Sequence, residues 1–155
     1  MLTQRRDGKT ESARNPNDVS RQLVHDIVVA QDQSTTEAAL EVYAGGRPRV
    51  AVRPICYAPT LPDLRMMRDV IIDCGPRDGG GVDVSWTVSG GGAFPRFCGR
   101  LRVCDAPPNA SRLRLEGSYG SASGDPPHPL VLRFINAVAR KALETFSNAV
   151  FREVA

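Results

Sequence analysis

Lysine is almost missing from this chain. Lys9 and Lys141 are the only two among 20 basic residues. The arginines are spread along the sequence, so the bias reads as one of coding. A formal net charge of +3 is too small for the basic stripe of a nucleic-acid binder. Histidine is scarce, at His25 and His128 alone. Metal sites draw on several His, Cys or carboxylate ligands, so no metal and no cofactor are expected. The cysteines, Cys56, Cys74, Cys98 and Cys104, include no C-x-x-C pair. Cys98 and Cys104 share one predicted strand, where six residues span about 20 Å. A disulfide needs Cα atoms roughly 4.4–6.8 Å apart, so free thiols, buried or half-buried, are expected.

Long apolar runs are missing too. None approaches the roughly 20 residues that span a bilayer, and the first residues are charged with no apolar core behind them, unlike a secretory signal. A cytoplasmic location is the expectation. No nucleophile signature such as G-x-S-x-G occurs. The glycine runs at 78–81 and 89–95 lack the G-K-[ST] ending of a phosphate loop and no helix follows them. They are hairpin turns. No catalytic residue is assigned.

What is present describes one domain. The length of 155 residues, with 41% apolar and 24% charged side chains, fits a single core. Residues 1–20 hold almost no large apolar side chain and read as a disordered arm. The folded domain covers 21–155. A β-branched strand is predicted over 22–30. A helix follows over 34–46, with Ser34 and Glu37 as a capping box and Gly45–Gly46 as its stop. Strands are then predicted over 49–56, 65–74, 82–89, 96–104 and 112–120. Three alternate cleanly. Val82, Val84, Trp86 and Val88 share a face. So do Phe97, Gly99, Leu101 and Val103, and Leu113, Leu115, Gly117 and Tyr119. Such alternation marks antiparallel strands with one buried face, and the short turns between them require a meander. The last segment is the strongest helix. Val131, Phe134, Ile135, Val138, Ala142, Phe146 and Ala149 form its apolar stripe, with Asp125 as a candidate N-cap. At roughly 24 residues and 1.5 Å each it crosses a whole sheet. The fold class is α+β: a curved antiparallel sheet of about six strands wrapped around a long C-terminal helix.

That order resembles the helix-grip fold of the START-like superfamily, also called SRPBCC, and its bacterial members most. The likeness runs from Arg21 to the end. It is carried by "LVHDIVVAQDQSTTEAALEV", by "FPRFCGRLRV" with its Phe-Pro entry and central glycine, by "SRLRLEGSYG", and by the closing helix. The resemblance implies a hydrophobic cavity between sheet and helix that takes a lipid or polyketide-like ligand, without catalysis. Some members are cyclases or aromatases, which makes an enzyme of that type the alternative.

Trp86, Phe97, Leu101, Leu115 and Tyr119 are expected to face Phe134 and Val138. These seven either fill a core or line a ligand cavity, with the Tyr119 hydroxyl as a polar handle or, in an enzyme, an acid. Gly99 and Gly117 lie mid-strand on the same face, where glycine marks a bend or bulge and leaves open space. Arg96, Arg100, Arg102, Arg112 and Arg114 fall on the outer face, offset by Glu116 and Asp105. That face is a solvated surface or an anionic-partner surface. Without aromatic side chains it does not suit base stacking. The expected partner is a small hydrophobic ligand. Oligomeric state is not legible.

Overall fold

The alternation builds a sheet. The computed structural model describes residues 20–57, 65–89, 94–106, 108–120 and 129–154. Strand β1 (Ser20–Val29) leads to helix α1 (Gln33–Gly45). Strands β2 (Arg49–Val52), β3 (Ile55–Tyr57), β4 (Arg65–Met67), β5 (Val70–Pro76), β6 (Val82–Val88), β7 (Arg96–Ala106) and β8 (Ala110–Gly120) follow, and helix α2 (Pro129–Val154) closes the chain. Six strands make one antiparallel sheet in the order β1-β8-β7-β6-β5-β2, and β3 pairs with β4 in a second. From β5 to β8 neighbours in sequence are neighbours in the sheet, the meander that short turns demand.

Two predicted strands are each broken in half, and the reason is a proline. The pairing register does not slip across the break: Val52 faces Val70 before it and Ile55 faces Met67 after it. Strands β2–β3 and β4–β5 are therefore one hairpin with a crease at Pro54, which has no N–H to give a ladder. Arg53 and Asp69 join at the crease through hydrogen bonds of 2.7 and 3.2 Å. The guanidinium holds the Asp69 carboxyl below its ordinary range. The outer half of the hairpin meets α2, where Arg133 Nη1 donates to Tyr57 O at 3.2 Å.

Helix α1 starts two residues earlier than its predicted box. Asp32 is the N-cap, accepting from Thr35 N at 2.8 Å. Glu37 turns instead to Gln33 Nε2 at 2.9 Å. The ionised Asp32 reaches the free N–H groups as well as Ser34 would, with the helix dipole in its favour. Gly46 ends the helix as expected. In α2, Phe134, Ile135, Val138, Ala142, Phe146 and Ala149 are buried as the periodicity predicts, while Arg133, Arg140 and Glu144 are exposed. The predicted cap Asp125 and His128 lie outside the described residues.

One polar pair sits inside this core. Thr36 Oγ1 of α1 lies 2.7 Å from Ser111 Oγ of β8, and both residues are 0% exposed. One hydroxyl donates and the other accepts, a bond that fixes α1 over the end of the sheet. Replacing Thr36 by valine strands the serine hydroxyl and costs about 1–3 kcal/mol. Adding Ser111→Ala recovers most of that loss, because no buried donor is left unpaired. A double-mutant cycle by urea unfolding measures the coupling.

Candidate functional site

The inner face of the sheet is ordered in transverse rows. Register puts Ile72, Trp86, Phe97 and Tyr119 side by side across β5, β6, β7 and β8. The next row is Cys74, Val84, Gly99 and Gly117, continued by Leu23 of β1. The third is Pro76, Val82, Leu101 and Leu115, continued by His25. An aromatic row thus borders a row with two glycines, and an aliphatic row follows.

Trp86 and Phe97 stack, with ring centroids 3.9 Å apart and planes 13° from parallel. The Phe97 ring also leans over the glycine row. A Cβ on Gly99 would lie 2.6 Å from Phe97 Cζ and 2.9 Å from Gly117 Cα, and one on Gly117 would lie 2.7 Å from the same Cζ. The two glycines do not mark a bulge, since register runs through them unbroken. Nor do they leave open space under α2: the Phe97 ring takes it. They let two backbones and a ring approach more closely than any Cβ would allow.

Helix α2 covers these rows. Phe134 meets Phe94 at 5.5 Å, and the Arg68 guanidinium lies 5.7 Å from the centre of the Phe94 ring. At the other end Phe146 meets Tyr43 of α1 edge-on at 6.3 Å. All seven predicted site residues, Trp86, Phe97, Leu101, Leu115, Tyr119, Phe134 and Val138, are buried in one continuous core. The structure brings them together as a packed interior.

Side-chain polarity on this inner side is sparse. His25 lies on the edge strand β1. Its Nε2 is 2.8 Å from Asn136 Oδ1, while Asn136 Nδ2 donates to Leu132 O at 2.9 Å. An Asn136 oxygen in that place only accepts, so Nε2 of His25 carries the proton. No local pattern in the sequence marks this contact, which joins residues 111 positions apart.

The four cysteines are unpaired. Cys56 and Cys74 are buried, Cys104 is half-buried, and Cys98, expected to be at least half-buried, is exposed. Burial, with some help from the Asp73 charge, pushes the Cys74 thiol up to about 12. A thiol raised in the folded state stabilises the fold below its unfolded value and loses that contribution as pH rises toward 12. Iodoacetamide at mildly alkaline pH should modify Cys98 first and spare Cys74 until the protein unfolds. Peptide mass spectrometry along a urea series gives the order.

On the outer face, Arg100 Nε donates to Glu116 Oε1 at 3.0 Å. Arg102 Nε lies 2.8 Å from the same oxygen without the alignment of a hydrogen bond, an attraction of charge. Burial works against the Glu116 carboxylate, but Arg100 and Arg102 outweigh it and hold its pKa low. Arg114 is neutralised from another strand, by Asp26 at 2.8 and 3.3 Å. Asp105 is exposed at the far end of β7 and pairs with none of these among the described residues. The expected arginine face is largely a cross-strand ion-pair lattice.

No protein-family model matches the sequence, and no curated protein does. Solved structures do match. Ara h 8.0201 is similar over 86% of this chain and 99% of its own, at 7% identity and TM-score 0.54. The Zhui aromatase/cyclase from Streptomyces sp. R1128 is similar over 86% and 93%, at 11% identity and TM-score 0.48. A START superfamily protein from Mycobacterium smegmatis is similar over 83% and 93%, at 13% identity and TM-score 0.41. The first of these likenesses shows the fold: an antiparallel sheet gripping a long C-terminal helix, the helix-grip fold.

Proposed function

We propose that this helix-grip protein binds a small hydrophobic ligand, lipid or polyketide-like, between its sheet and α2, without catalysing a reaction on it. The observation that carries the reading is the flat slot bounded by the Trp86 ring and the Gly99–Gly117 pair, which is filled by a side chain of the protein's own, Phe97. A planar apolar guest that displaces this one ring would meet an aromatic face on one side and bare backbone on the other. Leu101, Leu115, Phe134 and Val138 would close around it, and the Tyr119 hydroxyl would be its polar contact. Rotating a single phenyl ring is a small change beside opening a cavity through packed strands.

The cyclase alternative rests on Tyr119 alone, with no hydrogen-bonded acid or base joined to it among the described residues. Among those residues no helix is long and apolar enough to cross a membrane. A cytoplasmic setting, which keeps the thiols reduced, belongs to this proposal. Native mass spectrometry of protein purified from cells tests it. A co-purifying apolar molecule, or a saturable adduct with an added aromatic or lipid, is the expected result. Bare protein under every such addition would refute it.

A further inference from the structure

Strand β6 stops short of its neighbour. Its first residue, Val82, pairs with Leu101, yet β7 runs on to Ala106 with β8 as its only partner among the described residues. Among the described residues, one side of β7 from Arg102 to Ala106 is an edge without a strand beside it. Alternate residues of an antiparallel strand aim N–H and C=O to the same side. Here those groups meet no other main chain among the described residues.

A cleft of ≈ 530 Å³ opens at the start of this edge, where Arg100, Leu101, Arg102 and Val103 of β7 line it. One wall is the flank of α1, with Leu40 and Ala44 as its apolar part and Glu37 and Glu41 above them. Those carboxylates are one helical turn apart on one face, and neither has a cation within ion-pair reach among the described residues. The opposite wall carries Arg100 and Arg102, which share a single carboxylate, Glu116. The turn after β5 closes one end with Gly79, Gly80 and Gly81, at φ of 88°, 101° and 90°. In that left-handed region side chains are strained; the same turn brings Arg77 to the cleft, where it pairs with Asp83 at 3.8 Å.

We propose that this edge is a docking site for an extended peptide segment of a partner protein. The guest adds to β7 where β6 leaves off, pairing main chain to main chain. About four residues at ~3.4 Å each match the edge. Strand alternation then sorts its side chains. Those toward α1 are basic or apolar, to meet Glu37, Glu41 and Leu40, and those toward the outer face are acidic, to meet Arg100 and Arg102. The proposal is independent of the ligand site under α2.

Fluorescence anisotropy with labelled hexapeptides tests it. The probes are Lys-Glu-Val-Glu-Lys-Ser, its charge-inverted form Glu-Lys-Val-Lys-Glu-Ser, and the first peptide N-methylated at alternate residues. The first should bind saturably, and both controls should bind at least about tenfold more weakly, which corresponds to ~1.4 kcal/mol. The exposed substitution Glu41→Arg should narrow the gap between the two charge patterns, and amide NMR shifts should fall on Val103 and Asp105. Absence of saturation to about 1 mM overturns the proposal. So does equal binding of the N-methylated peptide, which would mean charge without strand pairing. A concentration-dependent dimer that broadens the same amides also overturns it, in favour of a second copy at the edge.

Discussion

Gly99→Ala should destabilise the protein by about 3 kcal/mol or more, at the upper end of what overpacking does. The added methyl group would approach Gly117 Cα to 2.9 Å and Phe97 Cζ to 2.6 Å, with the Glu116 carbonyl closer still. A phenyl ring can turn away. The backbone of a central strand paired on both sides cannot, because moving it breaks ladders with β6 and β8. The ring and backbone parts of the cost are separable. Phe97→Leu added to Gly99→Ala should return only a minor share of the loss. Urea unfolding of the two variants measures both. A midpoint for Gly99→Ala within error of the parent would show that the strands are not as close as the row geometry requires.

Phe97→Ala should cost about 3–5 kcal/mol, as for other buried phenylalanines. It should also do something most such truncations do not. The vacated space is flat, walled by the Trp86 ring and by two residues without side chains, so it suits a planar aromatic guest. Empty apolar cavities stay dry and take up such molecules. Naphthalene added to the variant should therefore raise its melting temperature, by mass action on the folded state, and leave Gly99→Ala unmoved. Thermal shift with and without the compound checks this. Equal shifts in both variants would point to a site elsewhere.

Much of this interior is legible in the sequence. The period of two in 82–88, 96–104 and 112–120 names the inner residues of three strands, and the helical stripe of α2 names what they face. From faces alone one can list Trp86, Phe97, Leu101, Leu115, Tyr119, Phe134 and Val138 as neighbours. Order along the strands is harder. That Phe97 stands beside Trp86, and Gly99 beside Gly117, depends on register, which turn geometry sets. Without it the glycines read as a bend with space above them, when in fact a ring from two residues upstream lies there. Pro54 was visible, but its effect was not. A proline can end a strand or crease it, and only the unbroken pairing of Val52 with Val70 and Ile55 with Met67 tells the two apart.

Long-range polar partners were hidden for a different reason. Asp26 is 88 positions from Arg114, His25 is 111 from Asn136, and Thr36 is 75 from Ser111. No local pattern connects such residues, because topology alone brings β1 beside β8 and α1 over its end. The Asp26 carboxyl, held below its ordinary range by the Arg114 hydrogen bond, shows that this pairing has electrostatic consequences. Its contribution is present above the ordinary carboxylate range and is lost as pH falls through the lowered value.

The central claim is that an apolar guest enters beside Trp86 under α2. Its most direct test is a methyl and indole NMR titration of the intact protein with naphthalene, Trp86 being the single tryptophan. Shifts that saturate together at the Trp86 indole and at the methyl groups of Leu101, Leu115 and Val138 are the predicted result. Shifts confined to surface methyl groups such as those of Val24 and Val28, with the Trp86 indole unmoved at saturation, would contradict it.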